Sequence, residues 1–298
     1  MQYTLVTVAH LLDLPLLKLQ ARSLNHYLDR RFVKDIIVVD NSTNGALPPD
    51  QLLPQYGNLP VRVIKAADIT PVPQGTYGWF TQQIYKLLVA KHVTTERYII
   101  LDAKTHLVDP LDSTMFDAPD GRIRAGRYRY GHHTLRRYLL RCCEYLHVEP
   151  PAVMDCMLAT TPPFTMMTEV VRSLVADIEK RENCPFAEAF LRRGLTEFFL
   201  YGTYIVATGH ELAEFYKFDN WMGTTLWKEN GDKHMQWQIA HPERVFFAVH
   251  RGTFKNMNPL TQHSLAHFWH SRRLFSSFQD ALRFVKGCAI TYKAKPAT

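Results

Sequence analysis

Three ionisable side chains alternate directly after an apolar segment. The run Y-I-I-L ends at Leu101, and Asp102, Lys104 and His106 follow it at every second position. A short apolar run of this kind predicts a buried strand, so these side chains mark the point at which the strand leaves the core. A carboxylate, an ammonium and an imidazole at such a point can bind a charged ligand or transfer protons. The segment 75–110, which contains them, is therefore the first candidate for a functional site.

A strand, a helix and a second strand are predicted near the start of the chain. Residues 3–8 and 35–40 are short β-branched apolar runs, and leucines recur at helical spacing over 11–28. This order is that of a βαβ unit, in which the strands are parallel and both faces of the sheet are covered. A further strand is predicted at 61–64. The sequence thus predicts an α/β fold with a mostly parallel sheet.

Sheets of this type bind ligands beyond the carboxyl ends of their strands. The polar residues expected at that edge are Thr7, Asp13, Asp40, Asn41, Asp102, Lys104, Thr105 and His106. A late strand predicted at 244–249 would bring His250 and Arg251 to a neighbouring strand end. The convergence of these residues is the main argument from the sequence for a site.

A helix predicted over 79–92 carries a partly polar stripe. Trp79, Gln82, Gln83 and Lys86 recur there at three- and four-residue spacing, which places them on one face. Two interpretations stay open at this point. The side chains either tie down neighbouring loops or contact the phosphates and hydroxyls of a ligand.

Glu197 is the only charge in a very apolar helix predicted over 196–208. At the start of the helix it would interact favourably with the helix dipole. A carboxylate in such surroundings is also typical of a buried functional acid or base. Tyr201 lies on the same helix and is a further candidate for ligand contact.

The composition excludes several classes of protein. With 46% hydrophobic and 21% charged residues in 298, the chain is not an extended disordered one. The net charge of +7 suits a phosphate-bearing ligand or an anionic membrane surface, whereas its short basic clusters do not indicate nucleic-acid binding. Five cysteines without a signal peptide ahead of them indicate a reducing, cytoplasmic location. We expect one domain over 1–298, with a nucleotide-binding half at 1–130 and an acceptor-side half at 131–298.

Common nucleotide and hydrolase motifs are missing from the sequence. It contains no G-x-x-x-x-G-K-[ST], no G-x-G-x-x-G, no G-x-S-x-G and no H-E-x-x-H. P-loop nucleotide hydrolysis, Rossmann-type hydride transfer, α/β-hydrolase chemistry and zinc proteolysis are therefore not supported.

Several ordered motifs carry a resemblance. V-V-D-N-S at the second strand is similar to the start of GT-A glycosyltransferases, and Y-I-I-L-D-A-K-T-H-L-V-D-P lies where those enzymes carry a D-x-D motif. The series G-W-x-x-Q-Q-x-x-K-L, L-D-A-K-T-H, T-P-P-F, T-E-F-F-L-Y-G-T-Y and V-H-R, within residues 3–270, resembles the DUF6492 family of bacterial GT-A-like proteins. Members of that family are found near polysaccharide-synthesis genes.

The resemblance implies a fold, an activity and roles for residues. The fold would be GT-A-like with a helical C-terminal elaboration, and the activity would be sugar transfer from a nucleotide-sugar donor to a glycan or lipid-linked glycan. The reaction would take place in the cytoplasm, with peripheral contact to the inner face of the membrane as an open option. Asp40 would bind the nucleoside, Asp102, Lys104, His250 and Arg251 the diphosphate, and Glu197 the acceptor hydroxyl; Trp79, Gln82, Gln83 and Lys86 would form pocket walls.

Lys104 is the departure from the family pattern, since it stands where the D-x-D motif has its second carboxylate. In metal-dependent enzymes those carboxylates hold a divalent cation on the donor diphosphate. We expect Lys104 to take part of the metal's role and predict no metal site. The alternative is that Lys104 points to solvent and Asp102 alone supports Mn²⁺ or Mg²⁺.

Two other functions stay open. A sugar nucleotidyltransferase would carry a glycine-rich basic loop after its first strand, where this sequence has V-A-H-L-L-D. A non-catalytic nucleotide- or sugar-binding protein with a decayed site is compatible with the changed D-x-D motif.

Overall fold

The computed structural model describes residues 2–43, 45–73, 75–219, 223–242 and 245–293. Among these residues the strands are β1 (Tyr3–Ala9), β2 (Val33–Asp40), β3 (Val61–Lys65), β4 (Arg97–Asp102), β5 (Thr105–Leu107), β6 (Ile123–Arg124), β7 (Arg127–Tyr128), β8 (Met157–Leu158), β9 (Phe164–Met167), β10 (Tyr216–Lys217), β11 (Gly223–Leu226) and β12 (Phe246–Val249). The α-helices are α1 (Leu14–Tyr27), α2 (Pro49–Leu52), α3 (Ala66–Ile69), α4 (Gly78–Leu88), α5 (Arg136–Leu146), α6 (Pro151–Met154), α7 (Thr168–Glu182), α8 (Phe186–Arg193), α9 (Glu197–Ala207), α10 (Leu212–Phe215), α11 (Asp232–Ala240), α12 (Arg251–Asn256), α13 (Pro259–Ser271) and α14 (Phe278–Lys293).

The central sheet has the strand order β3-β2-β1-β4-β9. Strands β1 to β4 are parallel to one another, and β9 runs antiparallel to β4 at the edge of the sheet. Val6 in β1 lies opposite Ile37 in β2 and Ile100 in β4. These strands are nearly continuous apolar runs because helices cover both faces of a parallel sheet. The predicted mostly parallel α/β sheet is confirmed.

Alternate residues of the strands face two different cores. Ile37 packs in a cluster with side chains of α4, α5, α7 and α9. Its neighbour Ile36 packs on the other face, in a cluster with Leu17 and Leu24 of α1. A third cluster joins β12 to α13 and α14 around the buried Trp269. The last cluster is the predicted helical C-terminal elaboration.

The chain leaves the central sheet at Asp102 and enters a second sheet at Thr105. A turn over 103–104 connects β4 to β5, and β5 pairs antiparallel with β12, which in turn pairs with β11. Arg244, the first residue of the strand predicted at 244–249, lies outside the described residues. The end of β4 is therefore a junction between two sheets.

No helix in the described part of the chain is long and apolar enough to cross a membrane.

Candidate active site at the carboxyl edge of the central sheet

A cavity of about 1480 Å³ lies at the carboxyl ends of β1, β2 and β4. Its wall also includes one side of α4, the start of α9 and the two residues that follow β12. The predicted residues that line it are Asp13, Asp40, Asn41, Trp79, Gln82, Lys86, Asp102, Lys104, Thr105, Glu197, His250 and Arg251. The structure therefore brings most of the predicted polar residues together, as convergence of parallel strand ends requires. We call this space the charged cavity.

Four charged side chains form a connected cluster in its wall. Lys86 Nζ lies 3.0 Å from Asp102 Oδ1 and 3.2 Å from Glu197 Oε1. Lys104 Nζ donates to the other carboxylate oxygen of Asp102. The side chains of Lys86 and Glu197 are 5% and 8% exposed, whereas those of Asp102 and Lys104 are closer to solvent. Two ammoniums and two carboxylates balance one another in this cluster.

Packing fixes the central member of the cluster. The Lys86 ammonium lies 5.0 Å from the centre of the Phe198 ring, and its backbone carbonyl accepts a hydrogen bond from the Tyr98 hydroxyl at 3.0 Å. A cation over an aromatic face is attracted by the ring quadrupole. The Lys86 side chain thus extends from α4 to a fixed position between β4 and α9, where it can contact both carboxylates.

The cluster also sets the protonation of its members. Burial opposes charge on Asp102, but the Lys104 and Lys86 ammoniums outweigh it and hold the pKa of Asp102 well below its usual range. Burial likewise opposes charge on Lys86, yet Asp102 and Glu197 raise the pKa of Lys86. Burial raises the pKa of Glu197, because the ammonium that it shares with Asp102 offsets only part of the desolvation. Glu197 is therefore the carboxylate of the pair that takes up a proton more readily.

Two predicted ligand contacts, Gln83 and Thr7, do not line the cavity and brace it from behind. Gln83 Nε2 donates to the Trp79 carbonyl at 3.0 Å, and its Oε1 accepts from the Glu197 backbone N–H at 3.3 Å. The Thr7 hydroxyl donates to Gln20 Oε1 at 2.9 Å. Both side chains are buried, so their polar atoms are used within the protein.

Gln20 is a bracing residue that the sequence prediction missed. Its Nε2 donates to the carbonyls of Asp102 and Thr105, each at 2.8 Å, and so fixes the turn that carries Lys104. The available signal was a glutamine on the apolar face of α1, where it is fully buried among leucines. A buried polar side chain on such a face is informative because it must find partners.

His106 does not face the charged cavity, which corrects the expectation that it ends the β4 tip. It lies in β5, is 2% exposed, and its Nε2 accepts a hydrogen bond from Trp269 Nε1 at 2.8 Å. Side chains alternate across a strand, and pairing of β5 with β12 turns His106 toward the C-terminal helices. Burial lowers the pKa of His106 to about 3, so its imidazole is neutral.

Tyr201 also lies away from the cavity. It is one helical turn beyond Glu197 in α9 and is therefore deeper in the core. Its hydroxyl is 2.6 Å from the Tyr216 hydroxyl and accepts from the Met167 backbone N–H at 3.0 Å. These bonds tie α9 to β9 and β10.

Asp40 and Asn41 at the rim hold loops while they line the cavity. Asp40 accepts from the backbone N–H groups of Ser42 at 3.1 Å and Leu47 at 2.8 Å, which shapes the loop after β2. Asn41 Nδ2 donates to the Thr81 hydroxyl at 2.7 Å and links this loop to α4. The nucleoside role of Asp40 stays a prediction.

On the opposite rim, His250 and Arg251 offer different groups. His250 Nδ1 accepts from the Gly252 N–H at 3.1 Å. Burial, followed by the nearby Lys104 ammonium, lowers the pKa of His250 to about 4, so it offers a neutral N–H. Arg251 is half-exposed and lies 3.3 Å from the Asp13 carboxylate. Arg251 is thus the positive charge on this rim.

The side chains at the D-x-D position do not fit a divalent metal ion. Each oxygen of Asp102 already faces an ammonium group, from Lys86 and from Lys104. Within the described ranges, no group of three or more His, Cys, Asp or Glu side chains could hold a metal. Mg²⁺ and Mn²⁺ prefer oxygen ligands, and here a cation would have to displace a lysine.

The sequence prediction missed part of the wall. Thr160, Thr161 and Trp227 line the charged cavity without having been predicted. Thr161 is the first residue of the T-P-P-F motif and Thr160 precedes it, so that motif was the available signal for both threonines. Trp227 lies in a segment without a predicted element and gave no signal.

The parallel sheet, the antiparallel β9 and the cavity at the carboxyl edge define a GT-A fold. In structure, the chain is similar to WbbM, a bifunctional glycosyltransferase, with a TM-score of 0.50 and 11% identity over 98% of this chain and 51% of that one. It is also similar to the glycosyltransferase GlyE of Streptococcus pneumoniae (TM-score 0.47, 10% identity, covering 97% and 64%) and to LgtC (TM-score 0.43, 12% identity, covering 67% and 70%). The chain spans about half of the length of WbbM.

The chain belongs to the family of unknown function DUF6492, whose profile matches residues 11–276. No curated protein matches it in sequence. At identities this low, the structural likeness establishes the fold and not the activity.

Proposed function

We propose that the protein is a glycosyltransferase that moves a sugar from a nucleotide-sugar donor to a glycan without using a metal ion. The observation that carries this proposal is the Lys86–Asp102–Lys104–Glu197 cluster, which lines a cavity at the carboxyl edge of a GT-A sheet. The cavity volume of about 1480 Å³ exceeds the roughly 300–1,000 Å³ of sites for drug-sized ligands, which supports a ligand as long as a nucleotide sugar.

Lys104 would stabilise the leaving diphosphate. Negative charge grows on the phosphate oxygens as the bond to the sugar breaks, and a preorganised cation in a partly dry site counteracts it. Asp102 holds Lys104 in place and also pairs with Lys86. Asp102 therefore keeps one ammonium partner when Lys104 turns toward a phosphate. Arg251, on the rim, offers a second and more exposed cation.

Glu197 would receive the proton of the acceptor hydroxyl in an inverting transfer. A general base works best when its pKa is near the operating pH, and burial shifts the pKa of Glu197 in that direction. Lys86 and the Gln83 contact to the Glu197 backbone would orient this carboxylate. In a retaining transfer the same group would position the acceptor.

One observation favours a second candidate, a non-catalytic nucleotide- or sugar-binding protein. The four charges of the cluster already satisfy one another, so no member is left to require a ligand. Nothing comparable favours a sugar nucleotidyltransferase, since the segment after β1 has neither glycine nor lysine nor arginine.

The test is a panel of nucleotide sugars, assayed for thermal stabilisation and for turnover with and without excess chelator. We expect at least one donor to bind and to be hydrolysed or transferred in the chelator. Complete loss of turnover in the chelator, with recovery of turnover on addition of manganese, would contradict metal independence. Donor binding without turnover, unchanged in Glu197→Gln, would support the non-catalytic candidate.

The acceptor and the location are part of the proposal. A glycan or lipid-linked glycan of polysaccharide synthesis in the cytoplasm agrees with the resemblance. The net charge of +7 supports peripheral contact with an anionic membrane. Retention of the protein on anionic but not neutral vesicles at low salt would be the corresponding measurement.

A further inference from the structure

A second cavity, of about 830 Å³, borders the charged cavity. Residues that line both spaces are Leu135, Thr160, Thr161, Pro162, Thr225 and Trp227. We propose that this second space, the aromatic groove, binds the acceptor as a neutral oligosaccharide whose rings stack on Trp237 and Trp227. The ligand's role as acceptor rests on the proposed function, whereas its neutral-sugar chemistry rests on the groove itself.

A row of rings lies along one side of α11. The His234 and Trp237 rings are 6.2 Å apart with a 17° interplanar angle, and the Trp237 and His241 rings are 5.2 Å apart at 28°. Trp237 is 55% exposed, while Met235 and Ile239 on the other side of the helix are buried. The helix thus packs through its aliphatic side and presents its aromatic side to the groove. An exposed tryptophan in a concave surface is a feature of binding sites.

The groove has the chemistry of a sugar site. A pyranose ring has an apolar C–H face, which packs on the electron-rich face of an aromatic ring, and hydroxyl groups at its edge, which need hydrogen-bond partners. Asn230 and Gln238 supply amides at the groove and are held by a mutual 2.7 Å bond. The T-T-P-P loop supplies the hydroxyls of Thr160 and Thr161.

Charge favours a neutral ligand over an acidic one. Among the described lining residues, Arg124 is the one with a permanent charge, and it lies 3.0 Å from Asp219. A sugar acid or phosphate would bring a negative charge into a wall without a spare fixed cation. A neutral oligosaccharide meets no such cost.

Trp227 connects the groove to the reaction site. It is 41% exposed, lines both cavities, and its ring centre is 5.6 Å from that of His250 in the charged cavity. The shared wall is also fixed at Thr160, which exchanges 3.3 Å hydrogen bonds with the Tyr130 hydroxyl. A glycan in the groove would therefore place its terminal sugar toward the cavity that holds Glu197 and Lys104.

The experiment measures binding of neutral gluco-, galacto- and manno-configured tetrasaccharides, with a uronic-acid tetrasaccharide for comparison, by saturation-transfer NMR and titration. We expect a neutral member to bind, and Trp237→Ala to weaken its binding about tenfold, equivalent to about 1.4 kcal/mol. Trp237→Phe should keep most of the affinity because it keeps a ring. Ile290→Ala, which removes an exposed apolar side chain on α14 away from both cavities, should bind like the wild type.

The experiment distinguishes failure of the groove proposal from failure of the glycosyltransferase proposal. Failure of all neutral tetrasaccharides to bind, binding of the acidic one alone, or equal affinity in Trp237→Ala would overturn the groove proposal. If transfer from a donor is found and Trp237→Ala leaves the acceptor KM unchanged, the groove proposal is wrong and the glycosyltransferase proposal stands. If no nucleotide sugar binds but tetrasaccharide binding depends on Trp237, the glycosyltransferase proposal is wrong and the groove proposal stands.

Discussion

The charged cavity and the aromatic groove share a wall but are built on opposite principles. In the charged cavity, Lys86 and Glu197 are buried and already paired, and Lys86 also contacts Asp102, so side chains that are proposed to take part in the reaction also hold α4, β4 and α9 together. In the aromatic groove, Trp237 and Trp227 are each about half exposed and lie outside the buried core. Stability and chemistry should therefore be coupled in the cavity and separable in the groove. Substitutions on the two sides test this difference.

The largest effect should come from Lys86→Met. Removal of one member of a buried ion pair leaves an uncompensated charge and typically costs about 3–5 kcal/mol, and here two carboxylates would lose their common partner. The free energy of unfolding from urea titration measures this loss. Trp237→Ala, on the groove side, should stay within about 0.5 kcal/mol of the wild type.

Lys180→Met is the matched control, since Lys180 is an exposed lysine on α7. It should also leave the free energy of unfolding nearly unchanged. A loss below about 1 kcal/mol in Lys86→Met, the range of exposed ion pairs, would mean that the cavity is no more coupled to the fold than the groove is.

The second largest effect should be a loss of turnover in Lys104→Ala. Lys104→Ala removes the ammonium proposed to stabilise the leaving phosphate, and loss of such a group lowers turnover roughly 100-fold or more. Lys104→Arg should recover part of the rate because it restores the charge. The measurement is donor hydrolysis or transfer at saturating donor. An unchanged rate in the alanine variant would place Lys104 outside the chemistry.

The pH dependence of turnover should identify Glu197 in the charged cavity as the base. Since burial raises the pKa of Glu197 above its ordinary 4.5, turnover should decline as pH falls through a value higher than that of a free glutamate. Below its pKa a base loses its ionised form tenfold for each pH unit. The residual turnover of Glu197→Gln should lack this decline, whereas donor affinity should be nearly intact. A decline that persists in the glutamine variant would assign it to another group.

The charged cavity could be predicted from the sequence because its parts are adjacent to strand ends. Asp40 and Asp102 close apolar runs, and parallel strands bring such ends to one edge whatever the intervening loops do. The pairing of Lys86 with Glu197 could not be predicted, because it depends on how α4 and α9 pack. Both residues were identified, but only as separate candidates.

His106 and the groove show where local patterns stop being sufficient. His106 continues the alternation of Asp102 and Lys104, yet the chain has changed sheets by then and pairs with β12, far along the sequence. Trp237 lies in a helix without a strong apolar period, and tryptophan by itself favours the core. Its exposure follows from Met235 and Ile239 taking the buried side of α11, which is a property of tertiary packing.

The smallest effect should come from Arg251→Ala and shows whether burial, rather than charge, causes the coupling. The Arg251–Asp13 pair belongs to the same cavity as Lys86, but Arg251 is 47% exposed where Lys86 is 5% exposed. Exposed pairs contribute about 0.2–1 kcal/mol and are screened by salt. We expect the unfolding free energy of Arg251→Ala to lie within that range of the wild type at low salt and to converge with it at high salt. A loss of unfolding free energy as large as that of Lys86→Met, and insensitive to salt, would show that exposed pairs at the rim stabilise the fold as much as the buried cluster does. The contrast between the charged cavity and the groove would then be one of charge alone.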